Sequence, residues 1–137
     1  LYLPASAYGA TTYPLSSNPD EVFFNSMIYK SESLSNGILL FQFTEDDNGD
    51  GTFTSANEDM YSIQVTLSEN GWSQLSVKYS DLATLVNGSP ATPAGNGVHE
   101  PNKLSQVNVL FLKNPSSGYA HTRLDYLIFT QGAPLVP

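Results

Sequence analysis

Apolar and polar residues alternate with a period of two along two neighbouring segments of the chain, as in a β-strand with one buried face. The segments are residues 60–67 and 72–79. Asn70 and Gly71 stand between them, and an Asn-Gly pair favours the tight turn of a β-hairpin. The sequence therefore predicts that these two strands form a hairpin. The residues expected to face the core are Tyr61, Ile63, Val65, Leu67, Leu75, Val77 and Tyr79.

Three further segments are apolar on both faces: residues 37–44, 104–113 and 122–130. This pattern is typical of central strands, which are covered on both sides. Residues 22–30 are expected to form another strand, and part of residues 1–15 is expected to supply an edge. The predicted total is six or seven strands.

Helical patterns are scarce, because Gly, Pro and Asn interrupt every longer window. Residues 80–85 are expected to form one short helical turn, with Ser80 or Asp81 as its N-cap. Residues 87–101 are rich in turn-forming residues and predict a long loop. Loops of this length are commonly functional.

The length of 137 residues suits one domain with one hydrophobic core. We expect residues 1–137 to form a single all-β antiparallel sandwich of jelly-roll type, with residues 1–19 as an irregular or edge segment. The chain has no cysteine, which excludes a disulfide scaffold and thiolate metal sites.

The charge of the chain narrows the classes of partner. It carries 13 acidic and 5 basic residues, for a net charge of −8, the wrong sign for binding the phosphates of nucleic acid. No apolar run approaches the roughly 18 residues of a transmembrane helix. The abundance of Ser, Thr and Asn and a first residue other than Met lead us to expect an extracytoplasmic protein (secreted, periplasmic or on the cell surface), read as a processed product or a fragment.

An acidic stretch between two predicted strands resembles the first half of a calcium-binding loop. Asp46, Asn48 and Asp50 alternate, Gly51 permits a sharp turn, and the carbonyl of Thr52 follows at the next ligand position. These residues are therefore candidate ligands for a calcium ion.

The second half of the stretch departs from that pattern. The twelfth position of a helical calcium hand requires a bidentate Glu, but here it is Asn57, and Glu58 comes one place later. The flanking elements are also predicted strands. The alternative interpretation is a solvated acidic loop that binds no ion.

The sequence contains no recognisable catalytic triad. His99 and His121 are its two histidines and lie in different contexts. Carboxylate pairs suited to glycoside hydrolysis can be drawn from several acidic residues, but their spacing does not show that any two face each other. We therefore expect a protein that is not an enzyme.

Aromatic rings are the usual platform on which sugar rings stack. Tyr119, His121 and Arg123 lie on or beside a predicted hairpin tip and are candidates for a ligand surface. Trp72 is a fourth candidate. It follows Gly71 directly, and its register favours covering the end of the core over full exposure.

Asp125 interrupts an apolar strand, where a carboxylate needs a cation, a metal or backbone donors. Arg123 and Lys113 are candidate partners, and a salt bridge with either of them is the simplest interpretation of its position.

Several short motifs follow one another in a recognisable order. They are Phe41-Gln42-Phe43 ahead of the acidic loop, Asp59-x-Tyr61, Gly71-Trp72 before Leu75-x-Val77-x-Tyr79 and Asp81-Leu82, and the segment from Leu124 to Phe129. Together they resemble the motifs of galactose-binding-like β-jelly-roll domains, a family that includes carbohydrate-binding modules and domains akin to the complex I intermediate-associated protein. The acidic loop and the ending Gly132-Ala133-Pro134-Leu135 are also similar to those of uncharacterised surface proteins of Bacteroidetes.

The resemblance implies a function and a metal ligand. It implies a non-catalytic module that binds a polysaccharide or another glycan, carried by a secreted or cell-surface protein that has further domains upstream. It also implies a structural calcium held partly by an Asp on the last strand, which here is Asp125. The alternative is a structural or protein-interaction sandwich without a glycan ligand.

Overall fold

A computed structural model of the chain describes residues 1–30, 37–67, 70–86, 89–113 and 122–136. These residues form nine β-strands and three single-turn 3-10 helices, and all strand pairs are antiparallel. No helix within the described ranges is long and apolar enough to cross a membrane. The strands are β1 (Tyr2–Pro4), β2 (Val22–Lys30), β3 (Gly37–Glu45), β4 (Met60–Leu67), β5 (Gly71–Lys78), β6 (Leu85–Val86), β7 (Ser89–Pro90), β8 (Leu104–Lys113) and β9 (Thr122–Gln131).

Seven of these strands form two sheets that pack face to face. The four-stranded sheet has the order β1-β8-β3-β4, and the three-stranded sheet has the order β5-β2-β9. Strands β6 and β7 make a separate two-residue ribbon. The predicted all-β antiparallel sandwich is confirmed, and the seven sheet strands agree with the predicted six or seven.

The predicted hairpin is wrong. Strand β4 pairs with β3, and strand β5 pairs with β2, so the two strands belong to different sheets. Gly71, with a φ of 94°, therefore begins a strand of the second sheet. Period-two alternation shows which face of a strand is buried, but both sheets of a sandwich face the same core, so it does not identify the neighbouring strand.

The apolar segments differ in how central they are. Strands β3 and β8 lie inside the four-stranded sheet, as predicted, but β9 is an edge strand of the other sheet. Tyr126 is an unpaired bulge residue in β9, with a φ of 36°, because Ser26 pairs with Leu127 while Met27 pairs with Asp125. Such bulges twist an edge and discourage further pairing.

Aromatic rings form the centre of the core between the sheets. The ring of Phe24 lies 5.2 Å from that of Phe41, 4.9 Å from that of Phe43 and 5.4 Å from that of Phe129, measured between centroids. Contacts at this spacing add to the stabilisation from apolar burial. The predicted inward position of Tyr61 and Tyr79 is confirmed, since both side chains are buried.

The predicted helical turn over residues 80–85 is present, but it begins one residue earlier and is shorter than predicted. It spans Tyr79–Asp81, and neither Ser80 nor Asp81 is its cap, because Lys78 occupies that position. It ends at Leu82, which is extended, since Ala83 forms an isolated bridge with Ser62 of β4. Pairing of Ala83 with the edge strand β4 therefore ends the helical turn at this point.

One end of the sandwich brings the acidic stretch and the long loop together. The acidic stretch leaves β3 at Glu45 and returns as β4 at Met60. The long loop 91–100 leads into the 3-10 turn Pro101–Lys103 at the start of β8. Both segments therefore meet at the same end of the four-stranded sheet.

Candidate functional site

Six carboxylates lie at this end in two groups, each with ligand atoms within 4.8 Å of one another. They come together because pairing continues past the end of β4: the N–H of Glu45 donates to the carbonyl of Asp59 at 2.9 Å. Successive residues of an extended chain point to opposite sides, which separates neighbours into different groups. We call Glu45, Asp47 and Asp59 the clamp cluster, and Asp46, Asp50 and Glu58 the loop cluster.

Asp46 organises the acidic loop around its own carboxylate. Its Oδ1 accepts the backbone N–H groups of Gly49 at 2.9 Å and Asp50 at 3.1 Å, and its Oδ2 accepts that of Gly51 at 2.9 Å. Gly49 and Gly51 have φ values of 74° and 79°, which are unstrained for glycine. The two glycines therefore allow the chain to curl around one buried carboxylate.

The loop cluster is completed by Glu58, which stands one residue after the twelfth position of the calcium pattern. Its side chain is 1% exposed, its Oε2 accepts the N–H of Thr54, and its Oε1 has no hydrogen-bond partner in the described part of the chain. Burial raises the pKa of Glu58, and the negative charges of Asp46 and Asp50 raise it further. Three carboxylates with a buried, unpartnered oxygen among them could hold a metal ion.

The other predicted ligands of the acidic loop lie on its exposed side. Nδ2 of Asn48 donates to Oδ2 of Asp50 at 3.1 Å, and the N–H of Thr52 donates to Oδ1 of Asp50 at 2.8 Å. Asp46 and Asp50 are brought together as the alternating motif predicts. The twelve-residue spacing of a helical hand does not apply, because strands flank this loop, and the third carboxylate of the cluster is Glu58, just before β4.

The clamp cluster binds main chain. Asp59 accepts the N–H groups of Gly95 and Gly97, each at 2.7 Å, through its two carboxylate oxygens. Glu45 accepts the N–H of Glu100 and the hydroxyl of Tyr79, each at 2.8 Å, through Oε1. These bonds fasten loop 91–100 across the end of the sandwich.

Burial is the main influence on the pKa of Glu45 and on that of its hydrogen-bond partner Tyr79. Loss of solvent raises the pKa of Glu45 to about 8, and the nearby charges of Asp47 and Asp59 act in the same direction. Burial likewise raises the pKa of Tyr79, as does the negative charge of Glu45. Each hydrogen bond to the carboxyl oxygens of Glu45 therefore offsets part of the free-energy cost of removing this group from water.

His99 has a packing role. Its ring stacks on that of Tyr61 with centroids 3.9 Å apart, and its Nε2 lies 2.9 Å from the carbonyl oxygen of Leu82. It sits in loop 91–100 beside the residues that the clamp cluster holds. The stacked ring closes the sandwich over Tyr61.

A second candidate site lies on the outer face of the three-stranded sheet. Tyr29 of β2 pairs with Trp72 of β5 on one side and with Arg123 of β9 on the other. The rings of Tyr29 and Trp72 are 5.3 Å apart, and Cζ of Arg123 lies 5.7 Å from the Tyr29 centroid. We call these three residues the aromatic row. Trp72 is 50% exposed, so the expectation that it covers the core is wrong.

The aromatic row joins residues that the sequence leaves far apart. Trp72 and Arg123 were predicted separately, and Tyr29 was missed because its strand gave no sign of which residues flank it. Asp125 lies two pairs further along, opposite Met27, and is exposed; its Oδ1 accepts the N–H of Tyr126 at 3.0 Å. It joins neither carboxylate cluster. Two other predicted ligand residues, Tyr119 and His121, lie outside the described residues.

Comparison with protein-family models, with curated proteins and with solved structures found no match. The resemblance to galactose-binding-like domains therefore stays a prediction.

Proposed function

We propose that this protein is a non-catalytic carbohydrate-binding module that uses the aromatic row as its ligand platform. The observation that carries the proposal is the half-exposed indole of Trp72 beside the ring of Tyr29. An exposed tryptophan costs free energy in solvent, and two adjacent rings offer the apolar faces on which the C–H faces of a pyranose stack. The ligand is a polysaccharide or another glycan.

Polar groups beside the rings supply hydrogen bonds to sugar hydroxyls. The guanidinium of Arg123 is held against Tyr29, and Asp125 lies next along the same face of β9. A guanidinium offers several donors and a carboxylate offers acceptors, which suits the paired donor and acceptor character of a diol. A row of rings flanked by a cation and an anion therefore favours a neutral sugar over a strongly charged one.

We further propose that the loop cluster holds a structural calcium ion. All of its ligand atoms are carboxylate oxygens, which calcium prefers, and calcium tolerates the irregular geometry of a loop. The unpartnered Oε1 of Glu58 supports this assignment, because a buried carboxylate oxygen without a donor is costly and a cation removes that cost. Asn48, Asp50 and Thr52 stand on the open side of the loop.

The proposed setting is a secreted or cell-surface protein. Glycans and millimolar calcium are both found there, and calcium sites of modest affinity are filled at those concentrations.

A structural or protein-interaction role is the second candidate. It is favoured by Leu110 and Phe111 of β8, which are 42% and 45% exposed, one on each side of the four-stranded sheet. Exposed apolar side chains can form part of a contact surface.

A glycan array with matched variants separates the two roles. Wild-type protein is expected to bind at least one glycan, Trp72→Ala to lose that binding, and Phe111→Ala to keep it, because Phe111 is an equally exposed ring in the other sheet. Thermal melts of the variants establish that both remain folded. Absence of binding by the wild type, or equal binding by Trp72→Ala, would refute the platform.

A further inference from the structure

A cleft of about 340 Å³ lies between the N-terminal strand and the acidic loop, in the four-stranded half of the sandwich. Strand β1 pairs with β8 there, and Tyr2 lies opposite Asn108 in that pair. One wall comes from these two strands, and the facing wall comes from the acidic loop just after Asp50. The residues that carry the argument are Tyr2, Ser6, Thr11, Thr52, Phe53 and Gln106.

The lining of the cleft combines rings with uncharged polar groups. Tyr2 is 61% exposed, and Phe53, which also lines the cleft, is half-buried. The side chains of Thr52 and Gln106 make no hydrogen bond within the described ranges, so their polar atoms are free to bind a ligand. No residue lining the cleft, within the part of the chain that the structure describes, is charged. This lining suits a neutral, hydroxyl-rich molecule and gives no cation for a phosphate or carboxylate group.

We propose that this cleft is a second saccharide subsite, which takes one neutral sugar residue against Tyr2, with Gln106 and Thr52 bonding its hydroxyls. The proposal takes its ligand class from the proposed carbohydrate-binding function, and its site is independent of the aromatic row. Trp72 belongs to the three-stranded sheet, whereas Tyr2 and Gln106 belong to the four-stranded sheet. The module therefore has two separate contact points for glycan.

The acidic loop ties this subsite to the loop cluster. Gly51 lines the cleft, and its N–H is held by Oδ2 of Asp46, the same carboxylate that belongs to the loop cluster. A cation bound by Asp46, Asp50 and Glu58 would fix the wall formed by Gly51, Thr52 and Phe53. Sugar affinity at the cleft is accordingly calcium-dependent, and affinity at the aromatic row is not.

Amide chemical-shift mapping of the full chain tests the subsite. The probes are four neutral hexasaccharides, built from glucose in β-1,4 and α-1,4 linkage, from xylose and from mannose, each titrated with calcium and with EDTA. With at least one probe we expect shifts at Thr52, Ser105 and the Gln106 side-chain amide, weakened by EDTA. Tyr2→Ala and Gln106→Ala should weaken this binding by about tenfold, the effect of losing a stacked ring or a well-placed hydrogen bond.

Two controls make the outcomes distinguishable. Thr66→Ala removes an exposed polar side chain of β4 and should change nothing, and Trp72→Ala should leave the cleft shifts intact. Shifts confined to the aromatic row would overturn the second subsite while the proposed function stands. Shifts at neither place, with all four probes, would overturn both.

Discussion

The N–H of Gly95 donates a 2.7 Å hydrogen bond to Oδ1 of Asp59, and this contact fastens the long loop to the end of the sandwich. The main chain of the loop passes so close that a Cβ on Gly95 would lie 2.9 Å from the backbone nitrogen of Asp59. Real Cβ atoms do not approach backbone at that distance. Position 95 therefore requires glycine, because the backbone of Asp59 leaves no space for a side chain.

Gly95→Ala is expected to destabilise the protein by about 1–3 kcal/mol, the usual cost of overpacking a site that cannot expand. Urea unfolding followed by circular dichroism measures the change. Val98→Ala, in the same loop but 55% exposed, should unfold like the wild type. An unchanged midpoint for Gly95→Ala would show that the loop is not clamped as described.

The hydroxyl of Tyr79 is the second test of the clamp cluster. Tyr79→Phe removes the donor to Oε1 of Glu45, a fully buried carboxyl, and should destabilise the protein by about 1–2 kcal/mol. Tyr8→Phe is the matched control, because Tyr8 is 73% exposed. Denaturant midpoints of the two variants give the comparison, and equal stability would argue against the buried hydrogen bond.

The aromatic core makes a prediction about packing. Phe24 contacts three other rings, so Phe24→Ala should cost roughly 3–5 kcal/mol in the free energy of unfolding. Phe111→Ala, which removes an exposed ring of the same kind, should cost far less. Chemical denaturation of both variants measures the difference, and similar losses would contradict the assigned core.

Calcium should stabilise the folded protein through the loop cluster. At a concentration near 100 times the Kd, mass action contributes about 2.7 kcal/mol, which corresponds to a rise in melting temperature of roughly 5–10 °C. Glu58→Gln should abolish most of this rise, because it removes the charge of a cluster ligand. Asp81→Asn, at an exposed acid outside both clusters, should retain it. Identical melting temperatures in EDTA and in calcium would contradict the proposed calcium site.

The local pattern of the sequence predicted the β-sandwich, but it did not predict which strands pair with each other. Alternation identified the buried faces of β4 and β5 and placed Tyr61 and Tyr79 in the core. The Asn70-Gly71 pair was consistent both with a hairpin and with a connection between sheets, because a turn limits local geometry and leaves the neighbours of each strand undetermined. Long-range pairing depends on the whole chain, which short windows do not contain.

The sequence likewise predicted some residues of each candidate site but not the residues that join them. Asp46 and Asp50 were predicted as ligands because a calcium loop has a recognisable alternation, whereas Glu58 was not, because it stands one place after the expected position and its location depends on the path of the chain back to β4. Trp72 and Arg123 were named without any indication that Tyr29 stands between them. Residues that meet across strands have no fixed spacing in sequence, so they are identified only when the register is known.

The fluorescence of Trp72 tests the central claim most directly. Trp72 is the one tryptophan of the chain and is half-exposed, so its emission reports on the proposed platform without any substitution. We predict that titration with a glycan recovered from the array changes the emission saturably, shifts it to shorter wavelength and protects the indole from acrylamide quenching. Emission and quenching that stay constant while the glycan binds would contradict the account.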